Sequence, residues 1–341
     1  MTFETTTPMP AVPSTAPGPL GAPADREVPE EFAAACRAAP WRLAGTARVT
    51  PVTVDTRSGV RLKCENLQLT GSFKLRGAFN ALSGLGATDV VVGSSGNHGI
   101  AVAWAARRLG VTATVVMTRT SSSHKREAVR ALGARVVLCD GGNEARGARV
   151  GEIAEETGAM VVSSFDHPLV VAGQASVGFE ILDQVPDATT VVVPVGGGGL
   201  LAGVATAVAL SGRPVRVLGV EPAGADDTAR SLALGQRVSI APPTTICDGV
   251  HAQTPGEFTF PLLQRFVEGI VVVDDAAVLH ALRDLGAQGM TVEPTGALAL
   301  AGARTLPSAG GVVAVVSGGN IRPEELRRLT GVTPARPVPM P

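Results

Sequence analysis

Short runs of β-branched residues alternate with alanine-rich stretches at helical spacing through most of this 341-residue chain, and that alternation narrows the fold more than any other feature. Near-continuous apolar runs of this kind suit strands buried on both faces, as in a parallel sheet joined by right-handed strand–helix–strand crossovers. One series runs through 90–93, a helix to Leu109, 114–117, a helix around 125–132, 136–139, a helix around 149–156, and 160–163. A second runs through 191–195, 215–220, 270–273 and 312–316, each followed by a turn and mostly by helix. The reading is α/β, with two doubly wound parallel-sheet domains. The small domain is 88–165, and the large one is built discontinuously from 28–87 and 166–331. Residues 1–27, rich in Thr, Pro and Ala, read as a disordered tail, and the Pro-rich 332–341 as a loose one.

Charge and cysteine usage exclude several partners. Twenty-nine basic residues stand against thirty acidic ones, with no basic stripe interleaved with aromatics, so a small ligand is expected and nucleic acid is not. The four cysteines, Cys36, Cys64, Cys139 and Cys247, show no close pairing, which fits a reducing cytoplasm better than a disulfide framework or a zinc ribbon. Residues 191–210 carry no charge over a length close to a membrane span, but Pro194 and the glycines that follow break the run into a strand, a turn and a buried helix. No membrane association is expected.

Only three of the basic residues are lysines: Lys63, Lys74 and Lys125. Arginine stays protonated near neutral pH and cannot form an imine, whereas a lysine can be tuned by desolvation and neighbouring charge. Lys125 lies in the charged run 124–127 and reads as a solvated helix residue; Lys63, between Arg61 and Glu65, reads as a surface strand residue. Lys74 opens an expected helix over 75–82 and is the candidate nucleophile. The chain has no tyrosine, which removes phenol acid–base chemistry.

Two further segments fit anion binding. Ser94-Ser95-Gly96-Asn97-His98-Gly99 follows the first strand of the small series and leads into a helix, where backbone N–H groups and the helix dipole favour a carboxylate or phosphate. Gly196-Gly197-Gly198-Gly199-Leu200 follows the strand 191–195 and lets backbone approach a phosphate with no Cβ in the way. The glycine run by itself fits a dinucleotide equally well, because Gly197, Gly199 and Ala202 match G-x-G-x-x-A and Glu221 ends the next strand.

The string Lys63-Cys64-Glu65-Asn66-Leu67-Gln68-Leu69-Thr70-Gly71-Ser72-Phe73-Lys74-Leu75-Arg76-Gly77-Ala78 closely resembles the cofactor-lysine motif of the fold-type-II pyridoxal-phosphate enzymes, the serine/threonine dehydratase and serine racemase group. The similarity spans 46–320 and includes Ala172-Gly173-Gln174, Thr245-Ile246-Cys247-Asp248-Gly249-Val250, Glu293-Pro294-Thr295 and Ser317-Gly318-Gly319-Asn320. A nicotinamide fold has no account of these segments.

The resemblance implies an active site between the two domains, with Lys74 carrying pyridoxal 5'-phosphate as a Schiff base and Phe73 near its ring. It implies that Asn97 bonds the cofactor's phenolic oxygen, that Gly196, Gly197, Gly198, Gly199 and Leu200 hold the phosphate, and that Ser317 bonds the pyridine nitrogen. Ser94, Ser95, Gly96, Asn97 and His98 would grip the substrate carboxylate, and Ser95 matches the second acid/base of serine racemase. Glu221, the Ala225 carbonyl and Asp227 resemble a site for Mg²⁺ or Ca²⁺, a pairing of hard donors and hard cation. Phe165 stands where serine racemase has a polar residue, and Arg146 reads as a solvated helix arginine or as a contact for a distal carboxylate. The expected activity is α,β-elimination from a β-hydroxy amino acid such as L-serine, L-threonine or 3-hydroxyaspartate, giving a 2-oxo acid and ammonia in a cytoplasmic homodimer. An amino-acid (serine/aspartate) racemase is the alternative within the family. A NAD-dependent oxidoreductase and a non-catalytic pyridoxal-phosphate-binding protein are the alternatives from other classes.

Overall fold

The computed structural model describes residues 27–307 and 310–332, so the two expected tails lie outside the described residues apart from Glu27 and Val332. The first half of the chain forms α1 (Glu30–Leu43), β1 (Val52–Val54), β2 (Arg61–Cys64), α2 (Lys74–Leu85), β3 (Asp89–Gly93), α3 (Asn97–Leu109), β4 (Thr112–Thr118), α4 (Ser123–Ala131), β5 (Arg135–Cys139), α5 (Asn143–Thr157) and β6 (Met160–Val161). The second half forms α6 (Pro168–Gln184), β7 (Thr190–Pro194), α7 (Gly199–Ser211), β8 (Arg216–Pro222), α8 (Asp227–Leu234), α9 (Thr259–Phe266), β9 (Gly269–Val273), α10 (Asp275–Ala287), α11 (Pro294–Ala303), β10 (Val312–Val316) and α12 (Pro323–Thr330). Among the described residues no helix is long and apolar enough to cross a membrane.

Two sheets result. One has six strands in the order β1-β2-β10-β7-β8-β9, parallel except for the antiparallel β1–β2 pair at its edge. The other has four parallel strands in the order β5-β4-β3-β6. The period-2 alternation of a strand sends successive side chains to opposite faces, and both faces are covered here. On β10, Val313 and Val315 join the core built with α1, α6, α7 and α9, while Val312, Ala314 and Val316 join the core built with α10 and α11. The valines and leucines of these cores are almost wholly buried, each contributing about 1.5–3 kcal/mol of transfer free energy. This doubly covered strand is why β7 and β10 read as unbroken apolar runs.

Helix α2 has no exclusive allegiance. Ala78, Phe79, Ala81 and Leu82 belong to the core of the four-stranded sheet, yet Gly77 is packed so closely on α6 that a Cβ there would lie 2.3 Å from Gln174 Nε2. In the six-stranded sheet the chain leaves β7 toward β8 on one side while β10 lies on the other. Such a switch in strand order opens a crevice at the carboxyl ends of the strands, where α/β proteins bind ligands.

Candidate active site

The segment before α2 is stitched to the end of β10. Phe73 N donates to Ser317 O at 3.1 Å and Gly319 N to Gly71 O at 2.8 Å. Gly71 has φ +71°, and a Cβ on it would lie 2.2 Å from Asn320 Oδ1. The glycine is required twice over, by the left-handed backbone and by the close approach. The result is that α2 starts, and Lys74 projects, over the carboxyl end of β10.

The three lysines meet different fates. Lys63 is not on the surface: it is 0 % exposed, and its Nζ donates to Thr50 O at 2.7 Å, to Gln184 Oε1 at 2.8 Å and to Glu180. Period-2 patterning cannot show that α6 brings an acid over that face of β2. Arg76 completes a buried cluster behind α2, bonding Glu65 in bidentate fashion at 2.8 Å and Glu180 Oε1 at 2.7 Å. Lys125 is not solvated either; it is 7 % exposed and paired with Asp248 and Glu293. Lys74 alone has no carboxylate partner among the described residues: its Nζ donates to Ser164 O at 2.7 Å and lies 5.1 Å from the Phe73 ring centroid. Desolvation lowers the pKa of this ammonium to about 8, which makes the nucleophilic free amine more accessible near neutral pH than for a solvated lysine.

Lys74 opens into a cavity of about 550 Å³, a size suited to a cofactor with a small substrate. The N-termini of α3 and α7 are among the segments that line it. At the first, Ser94 Oγ accepts from Gly96 N at 3.2 Å and Gly99 N at 3.0 Å, so this hydroxyl shapes the turn. Ser95 Oγ lies 3.2 Å from Thr118 Oγ1 and accepts from Arg146 Nη1 at 3.1 Å. His98 is buried, and desolvation together with the Lys74 charge pushes its imidazole down to about 3, which makes it a neutral group. Asn97 bonds Glu293 through Nδ2 and Asn320 through Oδ1.

At the second, Gly198 has φ +92° and caps α7. A Cβ on Gly197 would fall 2.2 Å from the Phe165 ring, and one on Gly199 2.8 Å from Phe165 O. Sequence reading missed what holds this turn. Thr259 Oγ1 donates to Gly197 O at 2.7 Å, and Asp166 caps the segment leading into α9 by accepting from Glu257 N, Phe258 N and Thr259 N at 2.9–3.2 Å. Leu200 and Ser317 are buried in the wall of the same cavity, and Ser317 Oγ makes only a long 3.4 Å bond to Thr295 O.

Arg146, read as solvated or as a distal-carboxylate contact, lines the cavity with no acid partner among the described residues, and desolvation depresses its pKa. Glu221 does not reach toward a ribose. It is fully buried, and its carboxylate accepts from Thr228 N at 3.0 Å and Ala229 N at 2.8 Å at the start of α8. The acid that completed the dinucleotide fingerprint is therefore committed to a helix N-terminus. Asp227 beside it is fully buried with neither carboxylate oxygen hydrogen-bonded.

Residues 45–318 match the family described as pyridoxal-phosphate dependent enzyme. The chain is 40 % identical to the L-threonine ammonia-lyase of Geobacter sulfurreducens over 270 residues, 77 % of this chain and 67 % of that one. It is also 40 % identical to the L-threo-3-hydroxyaspartate ammonia-lyase of a Pseudomonas species over 302 residues, 84 % and 95 % of the two chains. The structure of maize serine racemase superposes with a TM-score of 0.81 at 34 % identity, covering 86 % of this chain and 95 % of that one.

Proposed function

The chain belongs to the pyridoxal-phosphate dependent enzymes, and on that footing we propose that it eliminates the β-hydroxyl of a β-hydroxy amino acid, releasing a 2-oxo acid and ammonia. The observation that carries the reading is Lys74, a part-buried lysine with no carboxylate partner among the described residues, in one cavity with the N-termini of α3 and α7, where aligned N–H groups favour anions. The residues fit the cofactor: four successive glycines, whose Cβ positions are already taken up by Val250, Phe165 and Thr259, leave bare backbone at the start of α7 for a phosphate to approach, and Ser317 offers a buried hydroxyl with little competition for it. Bound pyridoxal phosphate would supply the electron sink for charge developing at the substrate Cα.

The chain's own groups do the rest. Backbone amides of 196–200 hold the phosphate, and the 94–98 turn holds the substrate carboxylate with the α3 dipole behind it. Lys74 Nζ, uncharged once its proton is lost, removes the proton from Cα. Neutral His98 adds no like charge to compete with that amine. Phe165 packs against Gly197 and Gly199 of the glycine turn.

Within this class, Arg146 favours a substrate with a second carboxylate, because a half-buried guanidinium without an acid partner is stabilised by an incoming anion. Ser95 keeps the racemase alternative specific, since its hydroxyl faces the cavity with Arg146 donating to it. Incubation with L-serine, L-threonine and L-threo-3-hydroxyaspartate, followed by ammonia assay and chiral analysis, decides between them. Ammonia release with the remaining substrate unracemised is expected, fastest from 3-hydroxyaspartate; racemised substrate with no ammonia would replace elimination by racemisation.

We also assign a divalent cation, Mg²⁺ or Ca²⁺, to Glu221, Asp227 and the Ala225 carbonyl. What supports it is two adjoining buried acids, one with both oxygens unbonded; burial and Asp227 push Glu221 well above the carboxylate range, and burial pushes Asp227 up to about 7. Saturating Mg²⁺ is expected to raise the melting temperature of chelator-treated protein by about 4 °C, and Asp227→Asn to abolish that rise. Four unpaired cysteines fit a cytoplasmic setting, and the fold-type-II resemblance implies a homodimer.

A further inference from the structure

Lys125 projects from α4, on the four-stranded side, toward two acids on the six-stranded side. Its Nζ lies 2.8 Å from Asp248 Oδ2 and 3.7 Å from Glu293 Oε2. Glu293, at the start of α11, is buried; Oε2 has no hydrogen-bond partner, while Oε1 accepts from Asn97 Nδ2. Asn97, at the start of α3, accepts at Oδ1 from Asn320 Nδ2 at 2.8 Å, and the same Asn320 group donates to Thr70 O at 2.9 Å. The chain of contacts crosses the cleft at each step from Asp248 to Lys125, Glu293, Asn97 and Asn320, and Asn320 then reaches Thr70, four residues before Lys74.

The direction of each bond matters. An ionised carboxylate only accepts, so Glu293 as an anion takes an Asn97 Nδ2 hydrogen, leaves Oδ1 to Asn320 and keeps the second Nδ2 hydrogen for the cavity. A protonated Glu293 donates, and the Asn97 amide is then free to turn its oxygen toward Glu293. Burial drives Glu293 toward the neutral form; Lys125 opposes this and Asp248 reinforces it, with the net result above the ordinary value. Burial alone would lower Lys125, but Glu293, Asp248 and Glu325 outweigh it and keep the ammonium charged. The neighbouring Cys247 thiol, raised to about 12 by burial, contributes no charge.

We propose that Lys125 is a positioning residue of the active site: reaching across the cleft, it keeps Glu293 a carboxylate, and Glu293 sets which face the Asn97 amide presents to the bound cofactor. The proposal rests on the functional reading above through the placement of Asn97 beside the cofactor ring.

The test compares wild type, Lys125→Met, Lys125→Arg and Asp248→Asn as holoenzymes. Three quantities are read: the acid limb of the pH profile of kcat/KM, the affinity for pyridoxal phosphate, and the pH at which the visible spectrum of the loaded protein changes without substrate. Activity needs ionised Glu293, so it appears as pH rises through the Glu293 pKa. Removing the cation is expected to move the acid limb and the spectral transition up by about one pH unit and to weaken cofactor binding about tenfold. Lys125→Arg restores part of each. Asp248→Asn, which removes an anion, is expected to move both downward. A merely structural lysine would not shift the two variants in opposite directions. Lys125→Met profiles that superimpose on wild type, or both variants moving the same way, overturn the proposal. A wild type that binds the cofactor yet releases no ammonia sinks the functional reading alone, and the spectral comparison then decides the role of Lys125.

Discussion

Lys74→Ala is expected to lower ammonia release from a β-hydroxy amino acid by about 10³-fold or more, because in the proposed reaction one amine would both anchor the cofactor and take the Cα proton. The structure offers no substitute nearby. Lys63 is committed to Glu180, Gln184 and the Thr50 carbonyl, and Lys125 to Asp248 and Glu293. His98 stays neutral but would have to gain a proton in a site that holds its pKa at about 3. Lys74→Arg is expected to fall equally far, since a guanidinium keeps the charge and loses the free base. Ammonia assay together with borohydride reduction and peptide mapping checks the point: wild type should carry the cofactor covalently on Lys74, and neither variant should. A folded Lys74→Ala protein with wild-type turnover would remove the lysine from the reaction and with it the proposed function.

Gly198→Ala should weaken pyridoxal-phosphate binding by about 10²-fold. The residue has φ +92°, where an L side chain costs about 1–2 kcal/mol, and its Cβ would lie 2.9 Å from Thr259 Oγ1 and 3.0 Å from Leu263 Cδ1. Relief requires moving Thr259, whose hydroxyl holds the Gly197 carbonyl, so crowding and distortion of the proposed phosphate cradle arrive together. Gly212→Ala separates the two causes. That glycine ends α7 with φ +66° and open space around it, so the same backbone strain should lower the melting temperature without changing cofactor affinity. Equilibrium titration of cofactor-free protein reads both variants. Equal, small losses of affinity would mean that the turn does not hold the phosphate.

Much of the architecture was legible because it is local. The expected strands at 90–93, 136–139, 191–195 and 312–316 lie within one residue or so of β3, β5, β7 and β10, since runs of β-branched residues between turns leave few other conformations. The hairpin β1–β2 was legible only as a strand residue at Lys63, because both strands are short and β2 is placed by its pairing with β10. Glu221 misled as half of a dinucleotide fingerprint because spacing along the chain is the same whether a strand-end acid faces a ribose or a following helix. Asp166 and Thr259 carried no signal, as each acts on a segment far away in sequence. For Lys125 a signal existed and was passed over: a lysine is rare in this chain, and its neighbours in sequence only made it look solvated.

The amino-acid sequence by itself determined where strands, turns and helix starts fall and which side chains are chemically able to form an imine, because periodicity, glycine conformations and functional groups belong to the residues themselves. Tertiary structure decided what surrounds each of three identical ammonium groups. Lys63 was given Glu180, Lys125 was given Asp248 and Glu293, and Lys74 was left half-buried without an acid among the described residues. A proton's free energy depends on desolvation and on charges within a few ångströms, and those are set by residues a hundred or more positions away.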